Sequence, residues 1–83
     1  MRIRFKLFAS LADYLPPGSR DNQVDIDIDP TETVAAIIDR FHLPEPLVHL
    51  VLVNGVYLAP GARASRCLED GDQLALWPPI AGG

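Results

Sequence analysis

Two short stretches of this chain alternate between apolar and charged residues, and their charges are of opposite sign. Arg2-Ile3-Arg4-Phe5-Lys6-Leu7 puts Ile3, Phe5 and Leu7 on one side and Arg2, Arg4 and Lys6 on the other. A period of two is the pattern of a strand with one buried face. Residues 24–29 repeat it, with Val24, Ile26 and Ile28 backed by Asp25, Asp27 and Asp29. Laid antiparallel, the two strands set three cations against three anions, and each such pair contributes roughly 0.2–1 kcal/mol. The pattern therefore predicts a hairpin with one charged face and one apolar face. The apolar face requires a second layer to cover it.

The cover is the segment that follows. Val34, Ile37, Ile38 and Phe41 stand at the i, i+3, i+4, i+7 spacing of a helix with one buried stripe. Asp29-Pro30-Thr31-Glu32 offers an Asp cap with Pro at the first helical position, and Thr33 is the rival cap. Pro44 and Pro46 end the helix. Between the hairpin strands, residues 9–22 read as a loop with one helical turn, closed by Pro16-Pro17-Gly18.

The rest of the chain supplies more strands. Leu50-Val51-Leu52-Val53 is an apolar run closed by Asn54-Gly55, a strong hairpin turn signal, and Val56-Tyr57-Leu58 returns from it. Residues 62–72 read as a connection that ends in a turn at Asp70-Gly71-Asp72. Gln73 to Trp77 alternates once more, with Leu74 and Leu76 inward and Trp77 on the opposite face. Strand, strand, helix, strand, short strand, strand describes a two-layer α+β domain. The helix is the crossover that a parallel strand contact needs. With 83 residues there is room for one such domain and little room for an enclosed cleft.

Composition narrows the function. Seven basic and eleven acidic residues leave a formal charge of −4, which argues against nucleic acid and against a polybasic membrane anchor. No apolar run has signal-peptide form or spanning length, and the single cysteine, Cys67, cannot form an internal disulfide. A cytoplasmic protein is expected. Cys67 has no Cys, His or metal-ligand spacing around it and is expected to be a passive, buried or half-buried thiol. His42 and His49, seven apart with two prolines between them, make no metal motif. There is no Gly-rich phosphate loop, so any ATP belongs to a partner and no cofactor or metal is expected here.

The chemistry is expected at the end of the chain. Pro78 and Pro79 lack amide donors and stop strand pairing, which divides the chain into a body, 1–77, and a tail, 78–83. Polyproline geometry rises about 3.1 Å per residue, so six residues reach roughly 19 Å. Gly82 and Gly83 carry no side chains and fit a channel closed to any other residue. Trp77 at the tail's base reads equally as a lid on the core edge or as a partner's anchor.

Residues 68–83, Leu-Glu-Asp-Gly-Asp-Gln-Leu-Ala-Leu-Trp-Pro-Pro-Ile-Ala-Gly-Gly, resemble the C-terminus of the MoaD/ThiS family of prokaryotic sulfur carriers. Val51-Leu52-Val53-Asn54-Gly55 resembles their middle strand and turn, and Phe8-Ala9-Ser10-Leu11 the end of their first strand. The resemblance implies a β-grasp, ubiquitin-like fold with a mixed four- to five-stranded sheet and one main helix on one face. It implies a non-catalytic carrier that serves an ATP-dependent, ubiquitin-activating-like adenylyltransferase. That enzyme would adenylate the carboxylate of Gly83, and a sulfur donor would convert it to a thiocarboxylate. Trp77, Pro78, Pro79, Ile80 and Ala81 would meet the partners, with Gly82 and Gly83 at the reacting end. The ending is most similar to the small subunit of molybdopterin synthase, whose partner is the large subunit. A carrier for thiazole or another sulfur pathway, and a protein-conjugating module, are the alternatives.

Overall fold

The computed structural model describes residues 1–79; Ile80, Ala81, Gly82 and Gly83 lie outside the described residues. Five strands, β1 (Arg2–Leu7), β2 (Gln23–Asp27), β3 (Leu50–Val53), β4 (Val56–Tyr57) and β5 (Gln73–Trp77), form one sheet in the order β2-β1-β5-β3-β4. The helix α1 (Val34–Arg40) covers one face, and short 3-10 turns occupy Ala9–Tyr14, Glu45–Leu47 and Pro60–Ala62. This is the two-layer α+β architecture expected from the element order, and the β-grasp arrangement that the resemblance implies.

The hairpin forms in a register that keeps two of the three expected charge pairs. Arg2 lies opposite Asp27 and Arg4 opposite Asp25, with ion pairs of 3.2 and 3.3 Å. Both pairs are largely exposed, so each adds little stability. The third expected pair is absent. Lys6 lies opposite Gln23, because the register is offset by two residues from the one that would set Arg2, Arg4 and Lys6 against Asp29, Asp27 and Asp25, and Asp29 falls beyond the end of β2. Asp29 instead accepts from the backbone N–H (2.9 Å) and hydroxyl (2.7 Å) of Thr31. Those bonds hold its carboxyl below the usual carboxylate range.

Thr33 caps α1, its hydroxyl accepting from Ala36 N–H at 3.1 Å. Of the two caps read from the sequence the second therefore applies, since Asp29 is occupied in its own turn. The helix ends before Pro44 can act. His42 turns left-handed at φ 58°, its N–H donates to Asp39 O, and Leu43 N–H reaches back to Ile38 O. These two bonds make a Schellman cap in which histidine takes the place usually held by glycine.

The core lies between α1 and the inward side of the sheet. Ile3, Phe5, Leu7, Val51, Val53, Leu74 and Leu76 come from the strands, and Val34 and Ile37 from the helix; all are buried. Phe41 stacks on Phe5 with ring centroids 4.7 Å apart. Asn54 and Gly55, both at positive φ (51° and 80°), make the β3–β4 turn.

A polar network ties that turn to the connection before β5. One oxygen of Asp72 accepts from the Asn54 amide and the other from Glu69 N–H, each at 2.8 Å, and Asn54 accepts from Gln73 N–H at 2.8 Å. Partial burial pushes the Asp72 carboxyl up, but the Glu69 and Asn54 bonds outweigh it, and the net shift is downward. A lowered folded value means that the charged form is favoured by folding, so the contribution is present above about pH 4 and lost as pH falls through the folded value. Asp72→Ala is therefore expected to cost about 1 kcal/mol at neutral pH. Urea unfolding at a series of pH values checks this: the gap between variant and parent should close below about pH 4.

Candidate functional site

β5 is the strand that carries the tail, and it is held on both sides. It runs parallel to β1 and antiparallel to β3, with Leu7 opposite Leu76 and Leu50 opposite Trp77. Phe8 N–H donates to Leu76 O at 3.2 Å and His49 N–H to Trp77 O at 3.0 Å. Leu74, Ala75 and Leu76 are all buried. The strand is thus anchored up to its last residue, and beyond it Pro78 and Pro79 have no N–H with which to extend the ladder.

Trp77 lies half-buried on the face away from α1, its ring stacked on Phe8 at 4.4 Å with planes 6° apart. Alternation along each strand assigns the rest of that face. Leu50 and Leu52 of β3, Tyr57 of β4 and Ala75 of β5 share it with Trp77, since Leu52 pairs with both Ala75 and Tyr57. Tyr57 is 57% exposed, and Leu50 and Leu52 are half-buried. On the β1–β2 side the same face carries Arg2, Arg4, Asp25 and Asp27. The helix-free face therefore has an apolar half beside the tail's base and a charged half away from it. An exposed apolar surface of this kind is a common mark of a protein contact.

Of the residues expected to matter, Trp77 and Pro78 are placed together at this edge, half-buried, with Pro79 exposed beyond them. Ile80, Ala81, Gly82 and Gly83, expected to reach and react, lie outside the described residues. Phe8, Leu50, Leu52 and Tyr57 were not singled out from the sequence. Four apolar residues in a row conceal which two of β3 face outward, and only pairing with β5 decides it. Cys67 is a correction: it is exposed, its Sγ 3.8 Å from Thr31 O, because neighbouring Leu68 takes the inward position.

Elsewhere the surface offers little chemistry. A hollow of about 350 Å³ on the helix side is lined by Ile38, Leu43, Val48, Asp39, Glu45 and Arg63. The two terminal nitrogens of the Arg63 guanidinium donate to Val48 O and His49 O, both at 3.3 Å, while its buried Nε has no partner among the described residues, and no Ser, Thr, Cys, Lys or His lines the hollow. Among the described residues no three His, Cys, Asp or Glu side chains converge on a metal position, and no helix is long and apolar enough to cross a membrane.

The Mut7-C ubiquitin family model matches residues 1–81. Small archaeal modifier protein 1 of Haloferax volcanii is 36% identical over 93 aligned positions, covering 98% of this chain and all of that protein. Its crystal structure superposes with a TM-score of 0.68 at 32% identity over the whole of both chains. Subunit 1 of the molybdopterin-converting factor of Helicobacter pylori, solved in complex with subunit 2, shares the fold at a TM-score of 0.61 and 18% identity over both full chains.

Proposed function

We propose that this chain, which belongs to the ubiquitin-like Mut7-C ubiquitin family, is a sulfur carrier that works through the carboxylate of Gly83. The observation that carries the reading is the anchoring of β5: a strand fixed on both sides up to Trp77 leads directly into Pro-Pro and a sequence ending in Gly-Gly. A rigid base limits the directions in which such an end can be offered, which lowers the entropy lost when it enters a partner.

A carboxylate is a poor acyl electrophile. An ATP-dependent activating enzyme overcomes this when a Gly83 oxygen attacks the α-phosphorus of ATP and pyrophosphate leaves. The acyl adenylate then has a phosphate leaving group. Sulfide adds to the acyl carbon and AMP departs, leaving a thiocarboxylate; a persulfide leaves an acyl disulfide instead, which a thiol reductant cleaves to the thiocarboxylate while the donor's sulfur leaves in a disulfide. Beyond the Gly83 carboxylate that attacks ATP, the carrier contributes no acid, base or nucleophile to this scheme. The apolar half of its open face, Trp77, Phe8, Leu50 and Leu52, serves as the docking surface for the activating enzyme and for the sulfur-accepting subunit. The acceptor we favour is a molybdopterin synthase large subunit, by analogy with the paired subunits of the Helicobacter pylori factor.

A second reading has a specific support in the name of the Haloferax volcanii relative, a modifier protein. There the same adenylate would pass to a lysine amine of a target. Intact-mass measurement separates the two. After incubation with the activating enzyme, ATP and a sulfur donor, the carrier should gain the mass difference between sulfur and oxygen. A conjugate heavier by a whole target chain, with no such gain, would favour the modifier. An unchanged mass overturns both.

A further inference from the structure

The three cations of β1 are not equivalent. Arg2 and Arg4 each hold an aspartate of β2, whereas Lys6 faces Gln23 on one side and Ala75 on the other. Among the described residues Lys6 has neither an ion pair nor a side-chain hydrogen bond. It stands where the charged half of the open face meets the apolar half, two residues before Phe8 along the chain and beside the β5 strand that ends in Trp77. It is half-buried there. It is also the single lysine in 83 residues, the other six basic side chains being arginines. Every other cationic side chain of the molecule is inert to acyl donors, because a guanidinium stays protonated.

We propose that Lys6 is a modification site that switches docking of the carrier onto its activating enzyme. This rests on the carrier reading above. The partner is an enzyme surface whose carboxylate meets Lys6 while its apolar residues meet Trp77 and Leu52. An unpaired cation at the border of an apolar patch is the arrangement that an oppositely charged partner group completes. Acylation breaks it in two ways. The Nζ lone pair attacks the carbonyl of an activated acyl group, a thioester or an acyl adenylate; a C–N bond forms, the bond to thiol or AMP breaks, and a proton is lost. The product amide is neutral, and it adds bulk at the border of the docking surface. One donor of that class is the Gly83 adenylate of a second copy, so a carrier that joined to its own kind at Lys6 would close the face needed for its next activation.

The intact protein can be tested directly. Treatment with the N-hydroxysuccinimide ester of acetic acid modifies amines alone, here the Met1 α-amine and Lys6, and peptide mapping assigns each species. Carrier-dependent ATP–pyrophosphate exchange by the activating enzyme then reads docking and adenylation without any sulfur chemistry. The Lys6-acetylated species is expected to exchange about tenfold more slowly than the untreated protein, with an unchanged far-UV circular dichroism spectrum. Lys6→Arg keeps the charge and removes the amine, so its own exchange rate should survive the treatment. Equal rates for untreated and Lys6-acetylated protein would overturn the proposal and leave the carrier reading standing. So would a treated Lys6→Arg protein that slows as much as the parent. Untreated protein that supports no exchange would remove the carrier reading and this proposal together.

Discussion

Deleting Gly83 is expected to abolish the sulfur-for-oxygen mass gain while leaving the thermal unfolding midpoint within about 1 °C of the parent. The chemical half of this follows from where adenylation occurs. The activating enzyme must bring one carboxylate in line with the α-phosphorus of ATP, and a chain shortened by one residue presents its carboxylate about 3 Å too early. A displacement of about 1 Å can already cost 10²-fold in a positioned reaction. The structural half follows from the body. Its ladder closes at Trp77, and among the described residues every buried core side chain lies at or before Leu76, so the body is expected to fold without Gly83. Gly82→Ala tests the channel instead of the register: a single methyl added to a side-chain-free end should reduce the gain strongly without moving the carboxylate. Calorimetry and intact-mass measurement on the same preparations check both halves. A shortened chain that still gained the mass would place the reacting carboxylate elsewhere.

Much of the body was legible because its signals are redundant. β1 and β2 announce themselves by alternation, and their opposite charges mark them as partners, although the register that forms keeps two of the three charge pairs. The Asn54-Gly55 turn needs both central residues at positive φ, which these two residues adopt at low cost. Legibility fell where a single residue had two local options. Asp29 reads as a cap, yet its carboxylate closes a turn with Thr31 two residues on, leaving Thr33 to cap α1. His42 gives no signal of a left-handed position, since glycine usually marks it.

The candidate site divided along the same line. Trp77 and the two prolines were visible because they interrupt a strand pattern. The apolar half around them was not, for a physical reason. Outward residues on an uncovered face are recognised by being polar, and here Leu50 and Leu52 are as apolar as their inward neighbours Val51 and Val53. Only tertiary pairing, Leu50 to Trp77 and Leu52 to Ala75, reveals that they share the tail's face. Cys67 and Leu68 are the converse case, two apolar neighbours of which one had to face outward.

Phe5→Ala is expected to destabilise the body by about 3–5 kcal/mol, the usual cost of removing a buried aromatic ring. Phe5 is fully buried at the centre of β1, next to Leu74 of β5, and stacks on Phe41 at the end of α1. Its loss therefore strikes the one place where the hairpin, the tail-bearing strand and the covering helix meet. A domain of this length has a total stability of roughly 4–12 kcal/mol, so the variant should be partly or wholly unfolded near 37 °C. Trp77→Ala removes a ring of larger size from the opposite face, where Trp77 is half-buried and stacked on the half-buried Phe8. It should cost no more than about 2 kcal/mol, because less area leaves the solvent-shielded state. Urea unfolding of the two variants measures the contrast, and pyrophosphate exchange by the folded Trp77→Ala protein then separates docking from folding. A Trp77→Ala variant as unstable as Phe5→Ala would make the ring a structural lid. A stable variant with exchange reduced at least tenfold would make it the partner's anchor.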